Sequence, residues 1–191
     1  MFVTFFSAEM GFTGWISSYT VMEGLESKEG AAKYPSIFWI FITVFCFFSA
    51  GLPGKVSYKL ILLNKLEIAA CAASIILTMI GFKLFAVYWN SILLGIAFSA
   101  MYTFMYTISL EYKQSISRSQ NALIMMFANF GEGILCSIVG HLMTFFSPIA
   151  LYYSILLAGI LILGFTYILM KDLAKNEPKE EIELKDKLIS K

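Results

Sequence analysis

Long apolar stretches alternate along the chain with short polar or charged segments. The apolar stretches cover residues 1–24, 35–53, 64–82, 84–110, 120–144 and 148–170. Each has about the 17–25 residues that a helix needs to cross roughly 30 Å of hydrocarbon, or somewhat more. None alternates apolar and polar residues as a membrane barrel strand would. The pattern predicts an all-α membrane protein with six transmembrane helices, numbered one to six in this subsection.

Prolines mark the ends of these stretches. Pro35 opens the second stretch and Pro53 closes it. Residues 133–170 carry no charge but are too long for one crossing, and Pro148 divides them. Because proline starts a helix well and continues one poorly, the fifth and sixth helices are predicted to be separate.

Composition supports a membrane protein and excludes several functions. Hydrophobic residues make up 59% of the chain and charged residues 14%, whereas a soluble domain has about 45–50% and about 25%. The net charge of +1, without a basic patch, predicts no nucleic-acid partner. The apolar composition makes membrane lipid the expected surrounding. One histidine and three scattered cysteines predict neither a metal site nor a bound cofactor. No nucleophile–base pair is visible, so we expect no enzyme activity.

Loop charges predict the orientation. The loops after the second and fourth helices, with the adjoining helix start, hold Lys55, Lys59, Lys65, Lys113 and Arg118. The opposite side has Lys28, Lys33 and Lys83. Lysine and arginine favour the cytoplasmic side, which places the C-terminus there. We therefore predict a six-helix bundle over 1–170 and a charged, partly disordered cytoplasmic tail over 171–191.

Two acids stand inside apolar stretches. Glu9 lies about 13 Å along the first helix and Glu132 about 18 Å along the fifth, at 1.5 Å per residue. Both helices are predicted to run outward, so the carboxylates share a depth near the midplane, where secondary transporters hold substrate and ion. The alternative is that each acid is protonated and hydrogen-bonds a neighbouring helix. Glu67 is expected near an interface, where it snorkels or pairs with Lys65.

Other polar side chains extend this candidate site. Trp15 either stacks on a sugar or anchors the membrane interface. Asn90, Tyr102 and Asn129 are candidate hydrogen-bonding ligands, while small residues near them are typical of close helix packing. The third and sixth helices are the most apolar and are expected to face lipid. The chain thus divides into two three-helix units, and the second is inverted relative to the first, as in a 3+3 inverted repeat.

Four segments resemble the major facilitator superfamily, most closely its fucose-permease-like branch, which includes sodium-dependent glucose transporters. Residues 9–19 (EMGFTGWISSY) resemble helix 7 of that family, and residues 50–59 (AGLPGKVSYK) the turn between its helices 8 and 9. Residues 95–102 (GIAFSAMY) resemble helix 10, and residues 129–133 (NFGEG) helix 11. The order and spacing match over about residues 1–170.

The resemblance implies the C-terminal half, helices 7–12, of a secondary active transporter. Such a protein would move a hexose-like sugar by alternating access with sodium or proton coupling, in the plasma membrane. Its substrate site would include Glu9, Trp15, Asn90, Tyr102, Asn129 and Glu132. The other wall would come from a missing N-terminal six-helix half, so the chain would be a fragment, a truncated isoform or half of an assembly. The alternative is a non-transporting scaffold or accessory subunit packed through glycine and serine faces.

Overall fold

A computed structural model describes residues 1–51, 54–111 and 117–175 of the chain. Most of the predicted tail, from residue 176 onward, lies outside these ranges. Within them every regular element is helical. In chain order the helices are α1 (Phe2–Met22), α2 (Lys28–Ala31), α3 (Lys33–Ala50), α4 (Val56–Met79), α5 (Lys83–Phe98), α6 (Met101–Glu111), α7 (Arg118–Phe145) and α8 (Ala150–Lys175).

Five helical spans in the described ranges are long and apolar enough to cross a membrane. They are Lys28–Ser49, Val56–Met79, Lys83–Ile108, Arg118–Phe145 and Ala150–Asp172. Helix α1 is similar in length, with 21 residues, but Glu9 and several hydroxyl side chains make it more polar. The expectation of an all-α chain is confirmed for the described residues, and five spans of this length and apolarity indicate a multi-pass integral membrane protein.

Two predicted boundaries were wrong. The third apolar stretch was predicted to begin at residue 64, but α4 begins at Val56 and takes in the preceding lysine-containing segment. The fourth stretch is interrupted at Ser99, between α5 and α6. There the Ser99 hydroxyl donates to the Ile96 carbonyl at 2.8 Å, and the Ser99 amide points to the same oxygen at 3.4 Å. A serine that binds its own helix backbone competes with the regular ladder, which accounts for the break.

Helix α1 lies at the centre of the bundle. It packs along α7 and α8, and it also contacts α3. Tyr19 meets Tyr152 of α8 near one end of α1, and Met1 meets Thr166 near the other, so α1 and α8 are antiparallel. Val3 of α1 meets Gly131 of α7, and Trp15 meets Gly140. The contacts follow the same order along both helices, so α1 and α7 are parallel.

Aromatic rings join α1 to α3 and α5. Phe5 packs edge-on against Phe98, with ring centroids 5.5 Å apart. Phe12 packs against Phe38 at 5.2 Å, and Phe38 reaches Phe98 at 5.9 Å. All four side chains are buried. Such pairs add to the burial of apolar area and fix the positions of the three helices that carry them.

Candidate functional site

Glu9 and Glu132 lie on neighbouring parallel helices, α1 and α7. Glu9 is buried, with 9% of its surface exposed, and Glu132 is half-buried. Along these helices both acids lie between the Val3–Gly131 contact and the Trp15–Gly140 contact. Neither belongs to an ion pair among the described residues, where the pairs formed are Lys33–Glu26 and Lys83–Glu23. The structure therefore places the two predicted acids in one helix–helix contact, and no described ion pair neutralises either of them.

Glycines on α7 allow α1 to approach closely. A Cβ on Gly131 would overlap the Val3 side chain, and a Cβ on Gly140 would overlap the indole ring of Trp15. Gly133, in contrast, has open space where its Cβ would be. Small residues let membrane helices meet at backbone distance. Gly131 and Gly140 therefore pack on α1, whereas Gly133 faces outward.

Trp15 takes part in this helix contact. Its indole N–H donates to the Cys136 carbonyl of α7 at 2.9 Å, and its ring lies over Gly140. The ring also forms one wall of an open cleft of about 420 Å³, together with Ser17, Ser18, Val21, Met22 and Lys28. Its polar edge is thus used in packing. The part of the ring that borders the cleft is the surface available to a ligand.

Tyr102 lies near the start of both helices that carry the acids. Its ring packs edge-on against Phe2 at 6.0 Å and Phe6 at 5.7 Å, both on α1. Its hydroxyl donates to the Met125 sulfur of α7 at 3.8 Å. A thioether is a weak acceptor, so a sugar hydroxyl or water would readily replace it.

Asn90 and Asn129 have opposite surroundings. Asn90 lies on α5, which packs mainly on α3 and α4, and it is 0% exposed. Both amide atoms of Asn90 are buried without a hydrogen-bond partner in the described part of the chain. Asn129 is exposed on α7. No described contact joins Asn90 to the two acids, whereas Asn129 lies one turn before Glu132.

The outward face of α7 is mixed in polarity. Its exposed polar residues are Asn129, Ser137 and His141, interspersed with Phe130, Gly133, Ile134 and Ile138. The Ser137 hydroxyl already donates to the Gly133 carbonyl at 2.8 Å, whereas polar groups without partners are costly in hydrocarbon. On this α7 face, which comprises the exposed residues among 129–141, the Asn129 amide and the His141 ring are therefore better suited to water or to another protein surface than to lipid.

A partly open cavity of about 180 Å³ lies between α1, α7 and α8. Its walls are mostly apolar, with Thr4, Ser7 and Ser154 as the hydroxyl-bearing residues. None of the six predicted site residues lines it. A site for a hydroxyl-rich ligand needs several converging polar groups, so this space is not the predicted site.

Glu67 was misjudged from the sequence. It is 0% exposed and lies midway along α4, because α4 begins at Val56. Lys65 is exposed and faces away, so the predicted pairing does not form. Instead Asn64 donates to Glu67 Oε2 at 3.0 Å and to the Gly159 carbonyl of α8 at 3.1 Å.

A polar stripe on α4 carried the missed signal. From Asn64 its buried polar members recur every three or four residues, and Ser57 lies two turns earlier on the same face: Ser57, Asn64, Glu67, Cys71, Ser74 and Thr78. That spacing describes one helix face. The expectation that the third and sixth helices simply face lipid is wrong for α4, because its polar side packs inside the bundle.

The loop after α1 holds ion pairs outside the spans. Glu23 accepts from Lys83, and Glu26 accepts from Lys33 at 2.5 Å and from Tyr34 at 3.1 Å. The hydrogen bond from Lys33 holds the pKa of the Glu26 carboxyl below its usual range. These contacts tie the loop to the starts of α3 and α5.

No three described His, Cys, Asp or Glu side chains come together in a way that would hold a metal ion. The cysteines of the described ranges are free thiols, with Cys46 exposed, Cys71 buried and Cys136 half-buried. Comparison with protein-family models, with curated proteins and with solved structures found no match.

Proposed function

We propose that this chain is one half of a secondary active transporter for a hexose-like sugar, with sodium or proton coupling. The observation that carries the proposal is the pair of acids, Glu9 and Glu132, on adjacent parallel helices, neither of which has an ion-pair partner in the described part of the chain. Membrane acids that face a protein interior or a wet cavity are typical of transport and proton pathways.

The α7 face supports a site with a second wall. Asn129, Ser137 and His141 are exposed on the same helix as Glu132, with Asn129 one turn before it, and the resemblance to the major facilitator superfamily supplies a partner for them. A second six-helix bundle, in the same or another polypeptide, would cover this face and enclose the site. Rocking of the two bundles would then expose it to either side in turn. The 3+3 inverted repeat, the cytoplasmic C-terminus and the plasma-membrane location belong to the same proposal.

Each site residue has a role that its surroundings permit. The carboxylates accept sugar hydroxyls or help to bind the coupling ion. Trp15 presents the ring surface that borders the cleft, and Tyr102 exchanges its weak thioether acceptor for a ligand hydroxyl. Asn129 donates and accepts from α7. Asn90 is the residue least connected to this group, and its role requires a rearrangement of α5.

The proposal is tested by measuring the uptake of labelled hexose into cells that express the protein from its native gene. Glu9→Gln and Glu132→Gln keep the side-chain shape and remove the charge, and each is expected to lower uptake at least tenfold, about 1.4 kcal/mol in free energy. Glu29→Gln, at an exposed acid of the short helix α2, is the matched control and should leave uptake unchanged. Undiminished uptake in both bundle variants, at equal surface expression, would remove the carboxylates from the mechanism.

A second candidate function is a membrane scaffold or accessory subunit. The open space over Gly133, beside the exposed Ser137, is the observation that favours it, because small residues on an exposed membrane helix suit docking of another helix. Gly133→Leu would block such docking. Loss of a co-purifying subunit, with no sugar uptake by the wild-type protein, favours the scaffold over the transporter.

A further inference from the structure

The Glu67 carboxyl lies in a sealed contact between α4 and α8. One of its oxygens, Oε2, accepts from the Asn64 amide at 3.0 Å. The other, Oε1, is buried without a hydrogen-bond partner among the described residues, and so is the Asn64 carbonyl oxygen, Oδ1. Both side chains are 0% exposed. The two carboxyl oxygens of Glu67 thus share a single described donor, the Asn64 amide, and the carboxyl group is incompletely hydrogen-bonded.

No described cation neutralises Glu67. Lys65, two residues earlier, is exposed on another face of α4. Lys59 lies over the Phe104 ring of α6, with its Nζ 5.5 Å from the ring centroid. Lys83 at the start of α5 is paired with Glu23. Of these lysines, Lys65 is therefore exposed, while Lys59 and Lys83 are engaged by other groups.

The titratable groups facing this contact are themselves uncharged when protonated. Cys71, one turn further along α4, interacts electrostatically with Glu67. Tyr152 of α8 interacts with Cys71 in turn. Neither thiol nor phenol supplies a positive charge. A buried carboxylate without a cation, and with one amide donor, is strongly disfavoured relative to the neutral acid.

We propose that Glu67, Asn64 and the Gly159 carbonyl form a proton-binding site between α4 and α8, with the proton on Glu67 Oε1. A proton requires no cavity, and it removes the charge that this contact leaves uncompensated. A metal cation suits the site less well. The Asn64 amide hydrogens point at Glu67 Oε2 and the Gly159 carbonyl, and two orphaned oxygens fall short of the larger oxygen shell that hard cations prefer.

Gly159 makes this site sensitive to a single methyl group. A Cβ at residue 159 would lie 3.1 Å from both Cδ and Oε1 of Glu67 and 3.0 Å from Ile68 Cγ1. A Cβ at Gly164, further along α8, would meet nothing within 4 Å. The site is therefore closed by backbone contact between the helices. Its proton exchanges with water when α4 and α8 separate, which makes it distinct from the Glu9–Glu132 pair.

Infrared spectroscopy of the full chain in sodium-free detergent buffer at neutral pH tests the assignment. The Glu9→Gln/Glu132→Gln double variant removes the other two bundle acids. It is expected to show the carbonyl band of one protonated carboxylic acid, and adding Glu67→Gln should abolish that band. An absent band in the double variant, or one that survives Glu67→Gln, overturns the proposal. Loss of the band on addition of sodium chloride, but not choline chloride, also overturns it, in favour of a cation site.

The two glycines of α8 provide a test that does not depend on folding of the Glu67 variant. Gly159→Ala in the same double-variant background should shift the carbonyl band, because the new methyl group displaces the carboxyl. Gly164→Ala should leave the band in place. An unshifted band in Gly159→Ala, or equal shifts in both variants, contradicts the assigned position of the proton.

Discussion

Gly140→Ala is expected to destabilise the protein by loosening the contact between α1 and α7. The new methyl group would overlap the indole ring of Trp15. The ring is held by the hydrogen bond from its N–H to the Cys136 carbonyl at 2.9 Å. Trp15 must therefore move, or the two helices must separate, and either change disturbs the setting of Glu9 and Glu132.

The magnitude follows from three contributions. Overpacking a well-packed interior costs about 1–3 kcal/mol. Displacing the indole also gives up a hydrogen bond with a net contribution of about 0.5–1.5 kcal/mol. Alanine stabilises a helix relative to glycine by about 0.5–1 kcal/mol, which offsets part of this loss. The expected net destabilisation of Gly140→Ala is about 0.5–4 kcal/mol.

Gly133→Ala is the matched control on the same helix. Its new methyl group meets open space, so only the helical preference remains, and a gain of about 0.5–1 kcal/mol is expected. Thermal and denaturant unfolding in one detergent would compare the two variants. Trp15→Phe, combined with Gly140→Ala, completes a double-mutant cycle that isolates the contact between the two residues.

Two results would refute this reasoning. One is an equal change of stability in Gly140→Ala and Gly133→Ala, since only the first meets a ring. The other is additivity in the cycle, because a smaller ring at residue 15 should relieve much of the cost at residue 140. Coupling of about 0.5–3 kcal/mol is the range found for residues in contact.

Three other variants probe separate contacts. Ser117→Ala removes the capping box that Ser117 and Gln120 form at the start of α7 and should lower the free energy of unfolding by about 0.5–2 kcal/mol. Ser119→Ala, at another exposed serine, should stay within about 0.5 kcal/mol of wild type. Equal losses of stability in the two variants would contradict the cap. Asn64→Leu leaves Glu67 Oε2 and the Gly159 carbonyl without their donor, so unfolding should become easier by about 1–3 kcal/mol; unchanged stability would argue against this polar contact. The lowered pKa of Glu26 means that its bond with Lys33 stabilises the protein above the ordinary carboxyl pKa and is lost as the pH falls through the lowered value. Melting temperature followed from neutral to acid pH should therefore fall more in wild type than in Glu26→Gln, and parallel curves would speak against the pairing.

The helical class and the presence of several apolar spans were accessible from the sequence because length and apolarity decide them; the predicted six helices compare with five spans long and apolar enough to cross a membrane in the described residues. The boundaries were less accessible where local and tertiary effects compete. Residues 56–63 contain Lys59 and Tyr58 and read as loop, yet they extend α4. The helix continues there because Leu60 and Leu63 are buried and Lys59 lies over Phe104, contacts that only the packed bundle provides. Ser99 breaks the fourth span through a hydrogen bond that residue type alone does not specify.

The candidate site was predictable in part. The prediction that the helices of Glu9 and Glu132 run the same way agrees with the parallel packing of α1 and α7, whereas the direct contact of these two helices was not predicted. The use of the Trp15 N–H in that contact was not predictable, since it depends on the position of a backbone carbonyl across the interface. Glu67 was missed through the boundary error, which placed a mid-helix acid near a helix end. The spacing of Asn64, Glu67 and Cys71 was the signal that could have corrected it.

The central claim is that the α7 face beside Glu132 borders a wet site and not lipid. Thiol labelling tests it most directly, in a background where Cys46, Cys71 and Cys136 are replaced by alanine. Asn129→Cys on α7 and Ile160→Cys on α8 are both exposed positions in apolar surroundings. A membrane-impermeant maleimide is expected to react rapidly at residue 129, to be slowed there by the transported sugar, and to react little at residue 160. Equally slow labelling at both positions would contradict it, because the α7 face would then lie in lipid.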